Sequence, residues 1–319
     1  MVKLGILFVA FVFNQVSWSV DICGHRGARG LAPENTLEGF AVALKYPIDC
    51  IDMDVTLTKD NAVVLYHDLL LNPDITRDRK NHWITHSRPI KDLNLQELQT
   101  YNVGQINSHS NYAKNFPKQK SYHTAKIPTL AQALAFIQKN ASPNIRIQIE
   151  LKTDPSAPPS HKLVAAVEHL IAQQHLEART KIQGFDWRYL QLLQNRNSHI
   201  QTAYLTEQKK EYLMKPILWV AGYLLKDSDY SIPKMIKALH GAYWDAEDVQ
   251  LNPKNISQAH LLGLKVYAWS NTQKNKGGYL KTMQQLIDDG VDGIITDRPD
   301  LLLKLRQSIR LSHVMEKHA

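Results

Sequence analysis

Residues 50–68 read Cys50-Ile51-Asp52-Met53-Asp54-Val55-Thr56-Leu57-Thr58-Lys59-Asp60-Asn61-Ala62-Val63-Val64-Leu65-Tyr66-His67-Asp68, and the turn in the middle of this stretch decides the fold. Two apolar, β-rich runs, 50–56 and 62–66, are joined by a link of a few polar residues. That link has no room for the crossover helix that parallel neighbours require, so the two runs form a hairpin. Elsewhere strand patterns over 21–24, 145–151, 181–185, 201–205, 242–245, 265–269 and 293–296 alternate with helical patterns over 36–45, 129–139, 160–174, 187–194, 232–239, 253–262 and 280–289. Nine apolar runs are one too many for an eight-stranded barrel, and giving 62–66 to the hairpin leaves eight. The expected fold class is therefore α/β, a TIM (β/α)8-type barrel with a hairpin after strand 2 and its site at the C-terminal ends of the strands.

The hairpin also has a chemical reading. If Thr58 pairs with Ala62, the register sets His67 opposite Met53, with Asp52 and Asp54 as its neighbours. A second histidine, His25, follows the first strand. Two imidazoles can share the proton transfers of a hydrolysis, and paired carboxylates can hold a divalent cation. The stretch from Leu69 to Lys126 contains no clear barrel strand and starts at the barrel mouth, so about 69–126 is expected to be a small inserted cap or lid.

Composition narrows the setting. Lys3, the apolar run Leu4 to Phe13 and the small residues around Ser17 to Ser19 resemble a secretory leader cleaved after Ser19. A run of about ten apolar residues is too short to span a bilayer, so no stable membrane anchor is expected. The domain boundaries expected are a leader over 1–19 and one barrel domain over 20–319, in a protein exported to a periplasm or secreted. A net charge of +8 is carried by scattered Lys and Arg without a basic stripe. That excludes nucleic acid as the expected partner and suits an anionic small molecule. Of the two cysteines, Cys23 and Cys50, each lies two residues before a candidate site residue. A disulfide between them is permitted in an oxidising compartment, but a pair of buried thiols is the primary expectation.

Several further motifs stand in order along the chain: His25-Arg26-Gly27, Pro33-Glu34-Asn35-Thr36, Leu57-Thr58-Lys59-Asp60, His67-Asp68, Ile127-Pro128-Thr129-Leu130, Glu150-Leu151-Lys152, Ala268-Trp269, and Gly290-Val291-Asp292-Gly293 leading to Thr296-Asp297-Arg298-Pro299. Together they resemble the glycerophosphodiester phosphodiesterase family over roughly Ile22 to Leu303. The resemblance implies a phosphoric diester hydrolase that releases sn-glycerol 3-phosphate and an alcohol from small-molecule glycerophosphodiesters, in lipid and glycerol metabolism. It implies His25 and His67 as general base and general acid. It further implies Arg26 and Lys152 on the phosphate, Trp269 as an apolar wall, and Asp52, Asp54 and Glu150 as ligands of one divalent cation, Mg or Ca. The family has Glu-x-Asp where this chain has Asp52-Met53-Asp54, a ligand shorter by one methylene. Two other readings stand beside this one. One is a phospholipase D-like enzyme acting on sphingomyelin or lysophospholipids through the same residues, which an exposed apolar rim on the insertion would favour. The other is a non-catalytic binding or surface protein that keeps the barrel.

Structural roles are expected at several of these positions. Asn35 reads as the N-cap of the first helix, Asp68 as a turn cap, and the Asp297-Arg298-Pro299 run as the start of the last helix. His82, His86, His109 and His123 read as solvated, Trp244 suits either core or pocket, and 304–319 reads as a final helix with a frayed end.

Overall fold

The computed structural model describes residues 20–196, 199–207, 220, 225–270 and 278–316, so the expected leader lies outside the described residues. The strands are β1 (Asp21–Gly24), β2 (Cys50–Leu57), β3 (Val63–Leu65), β4 (Arg146–Leu151), β5 (Thr180–Gly184), β6 (Gln201–Thr206), β7 (Tyr243–Glu247), β8 (Lys265–Trp269) and β9 (Gly293–Thr296). All but β3 pair in parallel, in the cyclic order β1-β9-β8-β7-β6-β5-β4-β2, and the β1–β2 pairing closes the barrel. The described helices are α1 (Leu37–Ala43), α2 (Leu95–Leu98), α3 (Leu130–Asn140), α4 (His161–Gln173), α5 (Trp187–Arg196), α6 (Ile232–Ala238), α7 (Pro253–Leu261), α8 (Tyr279–Asp289) and α9 (Pro299–Glu316). Every expected barrel strand and helix is present, within one or two residues at each end. Among the described residues no helix is long and apolar enough to cross a membrane.

Strand alternation divides the side chains into an apolar shell and a polar lumen. Ile22, Ile51, Met53, Val55, Ile147, Ile149, Ile182, Trp244 and Ile294 face outward and are buried under the helices in the main core. Trp244 thus belongs to the core, its indole N–H donating to Thr206 Oγ1 at 2.8 Å. Inward-facing neighbours include most of the buried polar groups, beside a small cluster of the two cysteines, Ala203, Tyr243, Tyr267 and Ile295. At the closed floor Lys181 Nζ sits 2.9 Å from Asp245 Oδ2, between the rings of Tyr243 and Tyr267 at 4.3 and 4.1 Å. A buried ammonium tolerates such a place because the carboxylate and two π faces replace water.

The hairpin has the expected register: Leu57 pairs with Val63 and Val55 with Leu65, and Thr58 N donates to Ala62 O at 3.0 Å. Because β1 pairs only with Cys50 and Ile51 of β2, it leaves the upper half of that edge free, and β3 fills it. This is why an antiparallel strand can sit at the mouth of a parallel barrel. Val64 of β3 and Tyr66 just past it seed a second small core with Leu71, Ile75, Ile90, Leu93, Leu98, Val103 and Ile127. The insertion is therefore a cap with its own apolar centre. His82, His86, His109 and His123 lie on its exposed surface.

One expectation is corrected here. Cys23 and Cys50 are joined in a disulfide, and no cysteine among the described residues is free. The two face each other directly across β1 and β2, with Cα atoms 4.5 Å apart, so the strand pairing that closes the barrel also brings the sulfurs together. The sequence separation of 27 residues corresponds to a loop-closure stabilisation of about 3 kcal/mol. Reduction, or Cys50→Ser, is expected to lower the melting temperature by several degrees in calorimetry. An unchanged melting temperature would show that closure does not depend on the bond.

Candidate active site

The loop between β1 and α1 turns sharply to bring its side chains back over the lumen. Arg26 and Asn35 both take left-handed backbone conformations, with φ of 49° and 52°. For Arg26 this costs on the order of 1 kcal/mol, which the surrounding bonds offset. Gly27 follows at φ 88°, and any Cβ there would lie 2.9 Å from the backbone of Gly39. Arg26 N donates to Asp52 Oδ2 at 3.2 Å, and its Nη1 donates to Glu34 Oε1 at 2.8 Å. Asn35 and Asp54 bond reciprocally: Asn35 Nδ2 donates to Asp54 Oδ2 at 2.8 Å, and Asp54 N donates to Asn35 Oδ1 at 3.1 Å. Asn35 is thus not the helix cap expected of it. Thr36 caps α1, accepting from Gly39 N at 3.0 Å, which releases Asn35 to hold the carboxylate.

Asp52, Asp54 and Glu150 lie on the lumen side of β2 and β4, with Asp54 level with Glu150 and Asp52 level with Gln148. All are buried. Burial pushes the Asp54 carboxyl up, but Arg26 and Lys152 beside it hold it well below the ordinary carboxylate range. Burial raises Glu150 to about 7, Lys152 partly opposing and Asp54 adding repulsion. Asp52 is pushed well up by burial and by the charges of Asp54 and Glu150. Lys152 Nζ lies 2.7 Å from Glu150 Oε1 and 3.7 Å from Asp54 Oδ1. Burial disfavours its charge, but these carboxylates hold its pKa above the ordinary lysine value.

A divalent cation fits this donor set chemically: the ligands are all oxygen, and a cation would offset the burial and the mutual repulsion that raise the Glu150 and Asp52 carboxyls. The three carboxylates are not gathered into a ready-made cluster among the described residues. The short Asp52 explains why. Its Oδ1 accepts from Gln148 Nε2 at 3.1 Å and Gln183 Nε2 at 2.7 Å, which tie that oxygen down. With three of its four acceptor positions used, Asp52 keeps one on Oδ2.

Each histidine is aimed by a carboxylate. His25 Nδ1 lies 2.7 Å from Asp297 Oδ1, and Arg29 grips the same carboxylate through Nε and Nη2, both at 2.9 Å. A carboxylate needs a donor, so Nδ1 carries the proton and Nε2 is left as the basic nitrogen. His67 Nδ1 likewise lies 2.6 Å from Asp68 Oδ1, whose other oxygen accepts from Asn72 Nδ2 at 3.0 Å. Burial, with Arg29 adding to it, lowers the pKa of His25. Burial, Arg26 and Lys152 push His67 down to about 4. Two further expectations are corrected by this geometry. Asp297 does not serve as a mere helix start, and Asp68 does not cap a turn; each holds a ring. The pairings escaped the sequence because 272 residues separate His25 from Asp297, and because an Asp next to a histidine has no distinctive spacing.

These groups line one cavity of about 380 Å³ at the barrel mouth, together with Phe185, Leu205, Glu207 and Trp269. Of the expected site residues, all but Asp54 line it directly, and Asp54 lies behind Arg26 and Lys152. Trp269 is fixed by its indole N–H, which donates to Asp245 O at 3.3 Å, and meets Phe185 edge to face at 5.8 Å between ring centroids. The cap reaches the same cavity. Tyr112 Oη donates to Glu34 Oε2 and Phe116 lies under the Arg29 guanidinium at 4.7 Å, while Lys120 N donates to Leu31 O at 2.9 Å. No motif marked Tyr112, since a lone aromatic in a polar insertion carries no period.

A sequence profile of the glycerophosphoryl diester phosphodiesterase family matches residues 25–301. The Bacillus subtilis protein YhdW is 30% identical over 285 residues, which is 89% of this chain and 96% of that protein. A glycerophosphodiester phosphodiesterase of Bacillus altitudinis is 28% identical, over 91% of this chain and 99% of its own length. Among solved structures, one from Silicibacter pomeroyi superposes with a TM-score of 0.83 at 28% identity, covering 92% of this chain and 95% of that one. A phosphodiesterase of Oleispira antarctica, in complex with the product sn-glycerol-3-phosphate, shares the fold at a TM-score of 0.67 and 20% identity, over 92% and 98% of the two chains.

The Asp297 pairing carries a pH signature. Burial raises its carboxyl, but Arg29 and His25 outweigh that and hold it well below the ordinary range. A depressed carboxylate stabilises the fold above its unfolded pKa of about 4, and that stabilisation is lost as pH falls through the folded value. Asp297→Asn is expected to cost roughly 3 kcal/mol at pH 7, because Arg29 stays buried without its anion. The gap between wild type and variant in urea unfolding should narrow below pH 4. A gap that stays constant down to pH 3 would count against the ion pair as its source.

Proposed function

The chain belongs to the glycerophosphoryl diester phosphodiesterase family, hydrolases of glycerophosphodiesters, and from that premise we propose that it acts as an exported, divalent-cation-dependent enzyme releasing sn-glycerol 3-phosphate and an alcohol. The observation that carries the proposal is the pair of oriented histidines on either side of a buried cluster of carboxylates and cations. A binding protein has no physical need for two such proton carriers.

In this reading Arg26 and Lys152 take the phosphate oxygens, Arg26 through its planar fork. Nε2 of His25 removes the proton from the attacking oxygen, and Asp297 stabilises the imidazolium that results. His67 gives a proton to the departing alcohol oxygen, and Asp68 then holds the neutral ring. The low pKa of His67 is set partly by Arg26 and Lys152, so an anionic diester that pairs with both cations raises it towards the working range. Asp52, Asp54 and Glu150 would hold the cation. When bound, the cation supplies Lewis-acid stabilisation of charge on the phosphoryl oxygens.

Export has two supports: the leader-like composition of 1–19, and the Cys23–Cys50 disulfide, a bond that persists in oxidising compartments. The barrel domain would then be the mature protein from residue 20. The phospholipase D-like reading calls for an apolar rim on the cap. Among the described residues Leu70 is the cap's one large apolar side chain with substantial exposure.

Two outcomes are expected from kinetics. Chelation of divalent cations should abolish turnover of glycerophosphodiesters, and Mg or Ca should restore it; turnover indifferent to chelator would remove the cation from the mechanism. His67→Ala should lose at least about 100-fold in kcat on an alkyl leaving group. On a glycerophosphodiester with a p-nitrophenyl leaving group, which departs without protonation, the loss should be under about 10-fold. Equal losses on both substrates would end the assignment of His67 as the acid.

A further inference from the structure

The cavity is electrically divided. Its wall at β1, β2 and β4 carries Arg26 and Lys152, the cations suited to a phosphodiester. The opposite wall, at the ends of β5, β6 and β8, carries the rings of Phe185 and Trp269 and the carboxylate of Glu207. Every other carboxylate lining the cavity has a side-chain partner: Glu34 with Arg26, Asp52 with Gln148 and Gln183, Asp68 with His67, and Glu150 with Lys152. Among the described residues Glu207 alone of these engages none through its carboxylate; its backbone carbonyl accepts from Gln250 Nε2 at 2.9 Å. Register sets Glu207 one residue past Thr206, which pairs with Ala246, and Trp269 opposite Glu247, so the two stand at one level on either side of β7.

We propose that this far wall is a head-group subsite for a quaternary ammonium, so that the preferred substrates are zwitterionic glycerophosphodiesters of the choline type; the inference rests on the phosphodiesterase reading above. Trp269 and Phe185 meet at 88° and form an apolar corner of two rings, the surface on which a trimethylammonium is held by cation–π attraction and by contact with its methyl groups. Glu207 supplies the counter-charge. Arg26 and Lys152 in the same cavity repel a cationic head group, so a preference for one requires a local anion of this kind. A primary ammonium could donate to Glu207, but its remaining N–H groups would face the two rings, which offer no such acceptor. A neutral glycerol or inositol head group would leave the Glu207 charge uncompensated and set hydroxyls against the rings.

The test compares kcat/KM for glycerophosphocholine, glycerophosphoethanolamine and glycerophosphoglycerol, reading glycerol 3-phosphate release. Wild type is expected to favour glycerophosphocholine over glycerophosphoglycerol at least 10-fold, with glycerophosphoethanolamine between them. In Glu207→Gln and Trp269→Leu that ratio should fall to within about 3-fold of unity. Choline should also inhibit the wild-type enzyme competitively, at a concentration at least 10-fold below that of its neutral isostere 3,3-dimethylbutan-1-ol, a measurement that needs no variant to fold. Turnover of all three substrates with a wild-type ratio near one, a ratio unaltered in both variants, or equal inhibition by the two alcohols would overturn the head-group assignment while leaving the phosphodiesterase reading intact. Release of glycerol 3-phosphate from none of them would overturn both.

Discussion

Asp54 is the carboxylate on which the site depends. It is buried on the inner face of β2, and three side chains from two segments converge on it: Asn35 and Arg26 from the β1–α1 loop, and Lys152 just past β4. An ionised carboxylate in that place is stable only with such partners, and the partners are positioned by it in turn. The left-handed conformations of Arg26 and Asn35 are held because releasing either would leave this charge without compensation. Arg26, so placed, carries Glu34, and Glu34 carries Tyr112 of the cap. One buried charge therefore organises the phosphate-facing arginine, the strained loop beside it and the docking of the insertion above.

The lumen as a whole follows the same logic. A barrel interior filled with branched apolar side chains needs no partners, whereas this one is built in layers of paired groups: Lys181 with Asp245, Gln148 and Gln183 with Asp52, and Asp54 and Glu150 with Lys152. Each layer satisfies its own hydrogen bonds and restricts the one above it. Gln148 shows the coupling directly, since it lies between the Cys23 sulfur at 3.8 Å and the Asp52 carboxylate at 3.1 Å. The bond that closes the floor is thereby one amide away from the short ligand of the site.

The architecture was readable because its signals are local. Thr58 to Asn61 is too short for a crossover whatever surrounds it, and the alternation of apolar strands and helical stripes repeats around the barrel, so the hairpin and its register followed from counting. The candidate site was readable in part for the same reason: Asp52, Asp54, Glu150 and Lys152 share a face by period two, and the register between β2 and β4 then aligns them. Partners set by closure were not. Asp297 meets His25 only because β9 lies beside β1, and no local pattern distinguishes that role from a helix start. Asn35 stood where an N-cap belongs, and only its backbone angle and the adjacent Thr36 separate the two uses. The oxidation state of Cys23 and Cys50 depends on a distance across strands that neither neighbourhood encodes.

The pairing of β1 with β9 also bears on how the chain reaches its working state. Residues 21–24 must wait for residues 293–296, so nearly the whole polypeptide has to be present before the first strand gains its second neighbour. Contacts of such long sequence separation carry a high loop-closure cost and form slowly, and until then the edge of β1 and the buried face of the loop after it lie open. His25 and Asp297 stand on the two sides of that last seam. The proton-handling pair is thus assembled only where the two ends of the chain meet, and a chain truncated before its last strand would contain nearly every residue of the site and still lack an oriented base.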